Sequence, residues 1–262
     1  KYIKLVHQTP GIIPMIPKPK VVIGIPSGVT EVERRAVQEA ALAAGARKAY
    51  LIEEPMAAAI GINLPIDESA GSIIVDIGGG TTEMAVTALG GIVVNKSIRT
   101  AGDEMDEAII NFFRMKYGVL IGQPTAEQMK ISIGSAHPGK DVEEKYSVAR
   151  GRDLETGLPK SLKISSSEIR EALAPIVNEI VSAIGDLLEE TPPELVSDIV
   201  NRGIALAGGG SLLRNIDIAI AEATKVPVWI ADDPMTAVVR GTGRVLTDEK
   251  LLERVRVTGG LK

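Results

Sequence analysis

Residues 76–83, Asp-Ile-Gly-Gly-Gly-Thr-Thr-Glu, set a carboxylate and three consecutive glycines between two apolar runs, Ser72 to Val75 and Met84 to Leu89. The pattern predicts a strand, a tight turn and a second strand. Glycines allow positive φ and let a ligand reach bare amides, and successive N–H groups in such a turn form an anion-binding nest suited to nucleotide phosphates. Asp76 ends the first strand, so its carboxylate would face the same crevice and hold Mg²⁺ against those phosphates, directly or through water. Two other phosphate loops are excluded. A Walker loop requires Gly-Lys-Ser/Thr and no lysine follows here, while a dinucleotide fingerprint opens a helix, whereas Thr81, Thr82, Met84 and Val86 continue with strand chemistry. An ordinary hairpin with a Gly-rich turn fits these eight residues equally well by themselves.

A second triplet, Gly208-Gly209-Gly210, follows the apolar run Ile204 to Ala207 and precedes Leu212, Leu213, Ile216 and Ile220 at helical spacing. It predicts a strand that runs into a helix start, where free amides, the positive dipole and a bare surface suit a base or an α-phosphate. Glu54 lies between a strand over Ala49 to Ile52 and a helix with Pro55 at its first position. As an N-cap it is a dipole partner worth about 0.3–1 kcal/mol. At the mouth of a cleft it would instead orient the water that attacks a γ-phosphate. On the residues alone the cap reading leads. Glu127 and Lys130 share a helix face, which alone reads as a solvated salt bridge.

The elements that must position these groups follow from periodicity and capping. Val21 to Ile25 predicts a buried strand, and Thr30 with Glu33 a capping box for a helix to about Ala44, ended by Gly45. Ile92 to Ile98 predicts a strand, Asp103 to Tyr117 an amphipathic helix ended by Gly118, and Thr125 to Ile133 a helix after Pro124. Residues 134–167 predict a small β-containing insertion. Ser165 and Glu168 cap a long helix to about Glu190, interrupted or kinked by Pro175, and Thr191-Pro192-Pro193-Glu194 caps the next. A last strand, Val226 to Ile230, leads to a helix over Pro234 to Leu246, in which Gly241 and Gly243 would permit close helix contact.

The 262 residues can bury a sizeable core, as one large domain or two lobes. With 45% hydrophobic but only 3% aromatic residues, that core is aliphatic, which favours α/β layers. Zero cysteines exclude disulfides and thiolate metal sites, and two histidines leave little for an imidazole cluster. A net charge of −5 without a basic stripe argues against a nucleic-acid partner. No run approaches the ~20 apolar residues of a membrane-spanning helix and no signal peptide is recognisable, so the expectation is a soluble or peripheral protein. Lys1 to Val6 carries neither a cap nor an initiator methionine, and the chain is expected to begin inside a longer protein.

With DIGGGTTE, LIEEPMAAAIG (Leu51 to Gly61), AGDEMDEAI (Ala101 to Ile109) and LAGGGSLL (Leu206 to Leu213) in one order, the chain resembles the actin, sugar kinase and heat-shock chaperone ATPase superfamily. TPPELVSDI (Thr191 to Ile199) and DPMTAVVRGTG (Asp233 to Gly243) narrow the resemblance to bacterial actin-like cell-shape proteins, over nearly the whole chain. It implies an α/β, actin-like ATPase fold of duplicated RNase-H-like subdomains, with ATP and Mg²⁺ in the cleft. Under it Gly78, Gly79, Gly80 and Thr81, with Thr82 beside them, match the second phosphate loop, and Asp76 its magnesium-associated acid. Glu54 matches the water-orienting residue, making it cap and catalytic group together. Glu127 and Lys130 match the pair that contacts ribose and base, Gly208, Gly209 and Gly210 the adenosine loop, and the Gly241 and Gly243 helix the interdomain connection. The family's first phosphate loop, an Asp-x-Gly-Thr turn, is not among these residues. By the family plan, residues 1 to about 70 are the remnant of an incomplete first lobe. Residues 71–262 are the second, with a smaller subdomain at about 119–167.

The function so implied is a filament-forming cytoskeletal protein with slow ATP hydrolysis coupled to polymerisation. It would be cytoplasmic and peripheral at the inner face of the cell membrane. Its implied partners are itself, the membrane surface, and cell-wall synthesis and cell-shape membrane proteins. A chaperone-type ATPase, expected to carry a substrate-binding β-domain, and a non-hydrolysing nucleotide-binding relative are the alternatives.

Ile12, Ile13, Met15 and Ile16 sit among Pro10, Pro14, Pro17 and Pro19, which deny the segment helix and interior strand. Packing against its own lobe is one use of such a loop; contact with a bilayer, as the resemblance implies, is the other. A few aliphatic side chains at about 1.5–3 kcal/mol each, less the ordering cost, bind a membrane weakly as a monomer and gain by repetition in a filament. The complete protein under polymerising conditions is expected to co-sediment with liposomes. Replacing Ile12, Ile13 and Ile16 by Ser should abolish this without blocking filaments; equal recovery of both proteins would favour packing against the lobe.

Overall fold

The structure is a computed structural model that describes residues 18–139 and 143–257. The apolar loop of Ile12, Ile13, Met15 and Ile16 lies outside the described residues. The chain opens with β1 (Lys20–Ile25), α1 (Glu31–Ala43), β2 (Lys48–Glu53) and α2 (Glu54–Gly61), β1 and β2 pairing in parallel. The expected capping box is present: Glu33 N donates to the Thr30 hydroxyl while Thr30 N donates to the Glu33 carboxylate. Glu54 proves to be the first helical residue and Glu53 the N-cap, one position from expectation, a shift of the kind helix boundaries commonly show.

The main sheet has the order β10-β9-β3-β4-β5, built from β3 (Ser72–Ile77), β4 (Thr82–Ala88), β5 (Gly91–Ile98), β9 (Ile204–Ala207) and β10 (Val228–Ile230). β3, β4 and β5 form an antiparallel meander, whereas β9 runs parallel to β3 and β10 parallel to β9. Every residue of β3 and β4 is buried, because each of their two faces carries a core. The strand period of two separates these cores. Ile73, Val75, Ile77, Met84 and Val86 join Met105, Ile109, Phe113, Leu173 and Ile180 on one side, and Ile74 and Ala85 join Ile52, Met56 and Ile60 on the other.

The first of these cores is capped by α3 (Gly102–Tyr117) and the 25-residue α5 (Ser166–Glu190), which continues unbroken through Pro175. Between them the chain builds β6 (Val119–Leu120), α4 (Gln123–Ile133), β7 (Tyr146–Asp153) and β8 (Pro159–Ser165), with a small antiparallel sheet of order β6-β7-β8. The helix after α5, α6 (Pro193–Arg202), starts within the expected Thr191-Pro192-Pro193-Glu194 segment, with Pro192 at the N-cap and no side-chain cap bond. The Thr191 hydroxyl is spent elsewhere, donating to the Leu187 carbonyl of the preceding helix at 2.7 Å.

The second core mixes Ile52, Met56 and Ile60 with small residues, Ala57, Ala58, Ala59, Ala205 and Ala207 among them, which lets helices approach closely. The tail of the chain, α7 (Ile216–Thr224), α8 (Ala237–Thr247) and α9 (Glu249–Val255), brings α8 against α2. There two glycines interlock: a Cβ on Gly61 would lie 1.8 Å from the Ala237 carbonyl oxygen, and one on Gly241 would lie 1.8 Å from that of Ala57. Gly243, expected to share this role, faces open space. The difference follows from helical spacing, which turns a position two residues on away from the contact.

Gly241→Ala is therefore expected to destabilise the protein by about 1–3 kcal/mol or more through forced separation of α2 and α8. Gly243→Ala should be neutral or stabilising by up to about 1 kcal/mol, since it only removes a helix-interior glycine. Denaturant titration of both variants checks the pair, and equal effects would contradict the interlock.

Candidate functional site

The β3–β4 turn is closed by Gly78 N donating to the Thr81 carbonyl at 2.9 Å, and it is held from below by the start of α3. Gly102 N donates to the Gly78 carbonyl at 3.2 Å and Asp103 N to that of Gly79 at 2.7 Å. With its carbonyls drawn to α3, the turn keeps the N–H groups of Gly79 and Gly80 without an acceptor among the described residues. That is the condition an anion nest requires. Gly79 and Gly80 are exposed and Thr81 half-buried. Thr82 differs: it is fully buried and donates its hydroxyl to the Thr100 carbonyl at 2.7 Å, so its side chain serves the core rather than the turn.

The second triplet arrives beside the first. β9 pairs with β3 so that Ala207 stands opposite Asp76, and Gly208 then turns with φ +80°. A Cβ on Gly208 would lie 2.2 Å from the Ile77 carbonyl oxygen and 2.4 Å from Asp76 Oδ1, and one on Gly210 would lie 2.3 Å from Ile77 Cγ2. No side chain fits at either position. The expected helix start is instead a single 3₁₀ turn, Gly209–Leu212, followed by a break before α7. Asn215 in the left-handed region makes that break, and the Ser211 hydroxyl, donating to the Gly208 carbonyl at 2.7 Å, braces the turn.

Between the triplets and α4 lies a cleft of about 490 Å³. Gly78, Gly79, Glu127, Lys130, Gly209 and Gly210 line it, together with Asp103, Asp106, Arg214 and Met235, which the sequence had not singled out. Gly80, Thr81, Thr82, Gly208, Asp76 and Glu54 do not line it. Glu127 and Lys130 do not pair with each other. Lys130 Nζ lies 2.8 Å from Asp106 Oδ1 and donates to the Gly102 carbonyl at 2.8 Å. The signal for Asp106 was present as one of the acids of Asp103-Glu104-Met105-Asp106-Glu107, but sequence does not tell which of them turns inward to a lysine on another helix.

Asp76 is buried beside two further carboxylates. Burial first, then the charges of Glu54 and Glu83, push its carboxyl up to about 7. Burial and Glu83 also raise Glu54, whose Cγ would lie 3.1 Å from a Cβ on Gly24 of β1. Glu83 is opposite Asp76 in the hairpin and accepts from Ser27 N at 3.2 Å and from the Ser97 hydroxyl at 2.6 Å. The hairpin is thereby tied to the loop after β1. No three acidic or histidine side chains among the described residues gather closely enough to ligate a metal ion, so a carboxylate so buried and crowded by like charge fits a divalent cation held through water.

A protein-family comparison matches residues 2–254 to the MreB/Mbl protein family. The chain belongs to the MreB/Mbl family. It is 51% identical over 259 residues to the cell shape-determining protein MreB of Escherichia coli (strain K12), covering 99% of this chain and 72% of that protein. It is 44% identical over 238 residues to the cell shape-determining protein Mbl of Bacillus subtilis (strain 168), covering 90% of this chain and 71% of that one. Among solved structures it is similar to MreB5 of Spiroplasma citri bound to AMPPNP, with a TM-score of 0.88 and 39% identity over 96% of this chain and 76% of that one. The MreB/Mbl fold is the actin-like ATPase fold expected from the sequence, α/β with mixed sheets.

The raised Asp76 carboxyl has a stability consequence with a definite sign. Its folded value of about 7 lies above the ordinary 3.8, so the associated stability is full below pH 4 and lost as pH rises through 7. In ligand-free protein with divalent cations chelated, Asp76→Asn is expected to be more stable than wild type at pH 8, by an amount on the order of a few kcal/mol. The advantage should shrink at pH 5.5. Denaturant titrations at the two pH values decide it, and a pH-independent difference would contradict the assignment.

Proposed function

We propose that this protein is an ATP-dependent, filament-forming cytoskeletal ATPase that binds ATP and Mg²⁺ between its two glycine triplets. The observation that carries the reading is the meeting of Gly208 with Asp76 and Ile77, which sets two side-chain-free surfaces on either side of one acid. Relatives of the same fold support the ligand class: one MreB5 structure of Spiroplasma citri is bound to ADP and another to AMPPNP. The free amides of Gly79 and Gly80, with Gly78 and Thr81, receive the β- and γ-phosphates. Gly209 and Gly210, with Gly208 behind them against Asp76, offer a flat wall to the adenosine side, and Glu127 and Lys130 face the ribose and base.

In this reading Glu54 orients the attacking water, and its raised pKa makes it the better base for that water's proton. Asp76 is the residue that would hold Mg²⁺, through water. When bound, the ion supplies positive charge against the phosphate oxygens. The family plan further assigns residues 1 to about 70 to a first lobe and 71–262 to a second, with a subdomain at about 119–167. Nucleotide state then biases lobe arrangement and hence subunit contacts, which in a filament are heterologous and non-closing. Such filaments would lie at the inner face of the cell membrane, with Ile12, Ile13, Met15 and Ile16 as membrane contacts, and organise cell-wall synthesis with cell-shape membrane proteins.

Glu54→Ala is expected to slow ATP hydrolysis by about 10²-fold or more while ATP binding is largely spared, since water positioning acts only in the chemical step. Asp76→Ala should instead weaken MgATP binding itself. Single-turnover hydrolysis beside a nucleotide titration separates the two. Comparable losses of binding and turnover in Glu54→Ala would reduce that residue to a structural role, and unchanged affinity in Asp76→Ala would remove the metal assignment.

A further inference from the structure

We propose that Asp106 is a positioning residue of the nucleotide site, which holds Lys130 away from Glu127 and so leaves the Glu127 carboxylate open to ribose hydroxyls. The inference rests on the nucleotide reading above. Glu127 and Lys130 are three apart on α4, a spacing at which opposite charges attract one another across a helix face. Left to themselves they would pair. Lys130 is instead drawn to α3, with Nζ 2.8 Å from Asp106 Oδ1 and 2.8 Å from the Gly102 carbonyl oxygen.

Both partners are well shielded, the Lys130 side chain 16% exposed and that of Asp106 5% exposed. An ion pair in that setting is strongly coupled, and loss of one member frees the other. The ammonium donates to the Gly102 carbonyl and lies at ion-pair distance from Asp106 Oδ1 in a geometry that makes no hydrogen bond, so donors remain for the cleft that Lys130 lines. Glu127 is exposed and has no hydrogen-bond or ion-pair partner among the described residues. An acceptor-only carboxylate on a cleft wall is complementary to vicinal hydroxyls, which are donors. Asp106 thus divides the labour of α4. Lys130 becomes a fixed cation that joins α4 to the helix under the phosphate turn, and Glu127 stays available to the sugar.

Remove the Asp106 charge and Lys130 is free to fall back on Glu127, three residues away, quenching both. The test compares ADP with 2′-deoxy-ADP by titration of the complete protein and three variants, with thermal melting as the check on folding. Wild type is expected to prefer ADP by about five- to tenfold, the effect of one charge-assisted hydrogen bond. Asp106→Asn should bind ADP about tenfold more weakly and lose most of the preference for the ribose hydroxyl. Adding Lys130→Met to Asp106→Asn should restore the preference, because no cation remains to cover Glu127, even if overall affinity stays low.

A merely structural Asp106 would weaken both nucleotides alike and would not be rescued by a second substitution. Retention of the wild-type preference in Asp106→Asn, or its absence from the double variant, overturns the proposal. Should Asp106→Asn fail to fold, Lys130→Met alone still decides, since the proposal requires it to keep the preference and its loss would place ribose recognition on Lys130. No binding of ADP by the wild-type protein would overturn the nucleotide reading and this inference with it.

Discussion

The site depends on a contact to which Gly208 brings no side chain. β9 lies parallel to β3 with Ala207 opposite Asp76, and the chain then leaves the sheet at Gly208, whose absent Cβ is the space that the Asp76 carboxylate and the Ile77 carbonyl occupy. Every later feature follows from that passage. The second triplet can flank the first only because it crosses the end of β3 at backbone distance. The 3₁₀ turn at Gly209–Leu212 then lines the cleft through Gly209, Gly210 and Leu212. An L side chain at 208 would meet both steric overlap and an unfavourable positive φ.

The same economy recurs around the sheet. β3 and β4 are sandwiched between a large-residue core of Met, Ile, Leu and Phe and a small-residue core dominated by Ala. Large residues fill the space below α3 and α5, while alanines draw α2 and α8 close to the opposite face. Acidic groups occupy the border between these layers. Glu54 comes from α2, Asp76 from β3 and Glu83 from β4, and the hydrogen bonds from Ser27 and Ser97 hold the last of them against β1 and β5. Crowding like charges is unfavourable in the absence of a cation. The fold accepts that cost at the border between its two cores.

Much of this was legible in the sequence because its signals are local. The hairpin at Gly78 to Gly80, the Thr30 and Ser165 capping boxes and the strand at Ile204 to Ala207 each follow from a few neighbouring residues, and each is present. What was not legible depends on partners distant in the chain. The Glu127–Lys130 pairing expected from helical spacing gives way to Asp106, which approaches from another helix. Leu212, Leu213 and Ile216 keep a helical period, yet Asn215 breaks the helix between them, since the turn must follow Ile77 before α7 can pack. Gly241 and Gly243 look equivalent in sequence, and only the approach of α2 tells them apart. Glu83 read as the end of a motif until the loop carrying Ser27 supplied its donor.

The interlock of Gly61 and Gly241 also has mechanical meaning. Most helix pairs mesh through side chains, and such ridges and grooves resist rotation as gears do. Where two backbones touch directly, the hard contact sets the closest approach of the axes, and here Arg244 of α8, donating to the Ile60 carbonyl of α2 at 2.6 Å, pins the pair as well. α8 continues into α9, whose Arg254 packs its stem against Gly90 in the β4–β5 turn and pairs with Asp67 at 2.6 Å. Because Leu252 of α9 shares a core with Met56 and Ile60 of α2, the three helices form one block that runs from Glu54 to the β4–β5 turn.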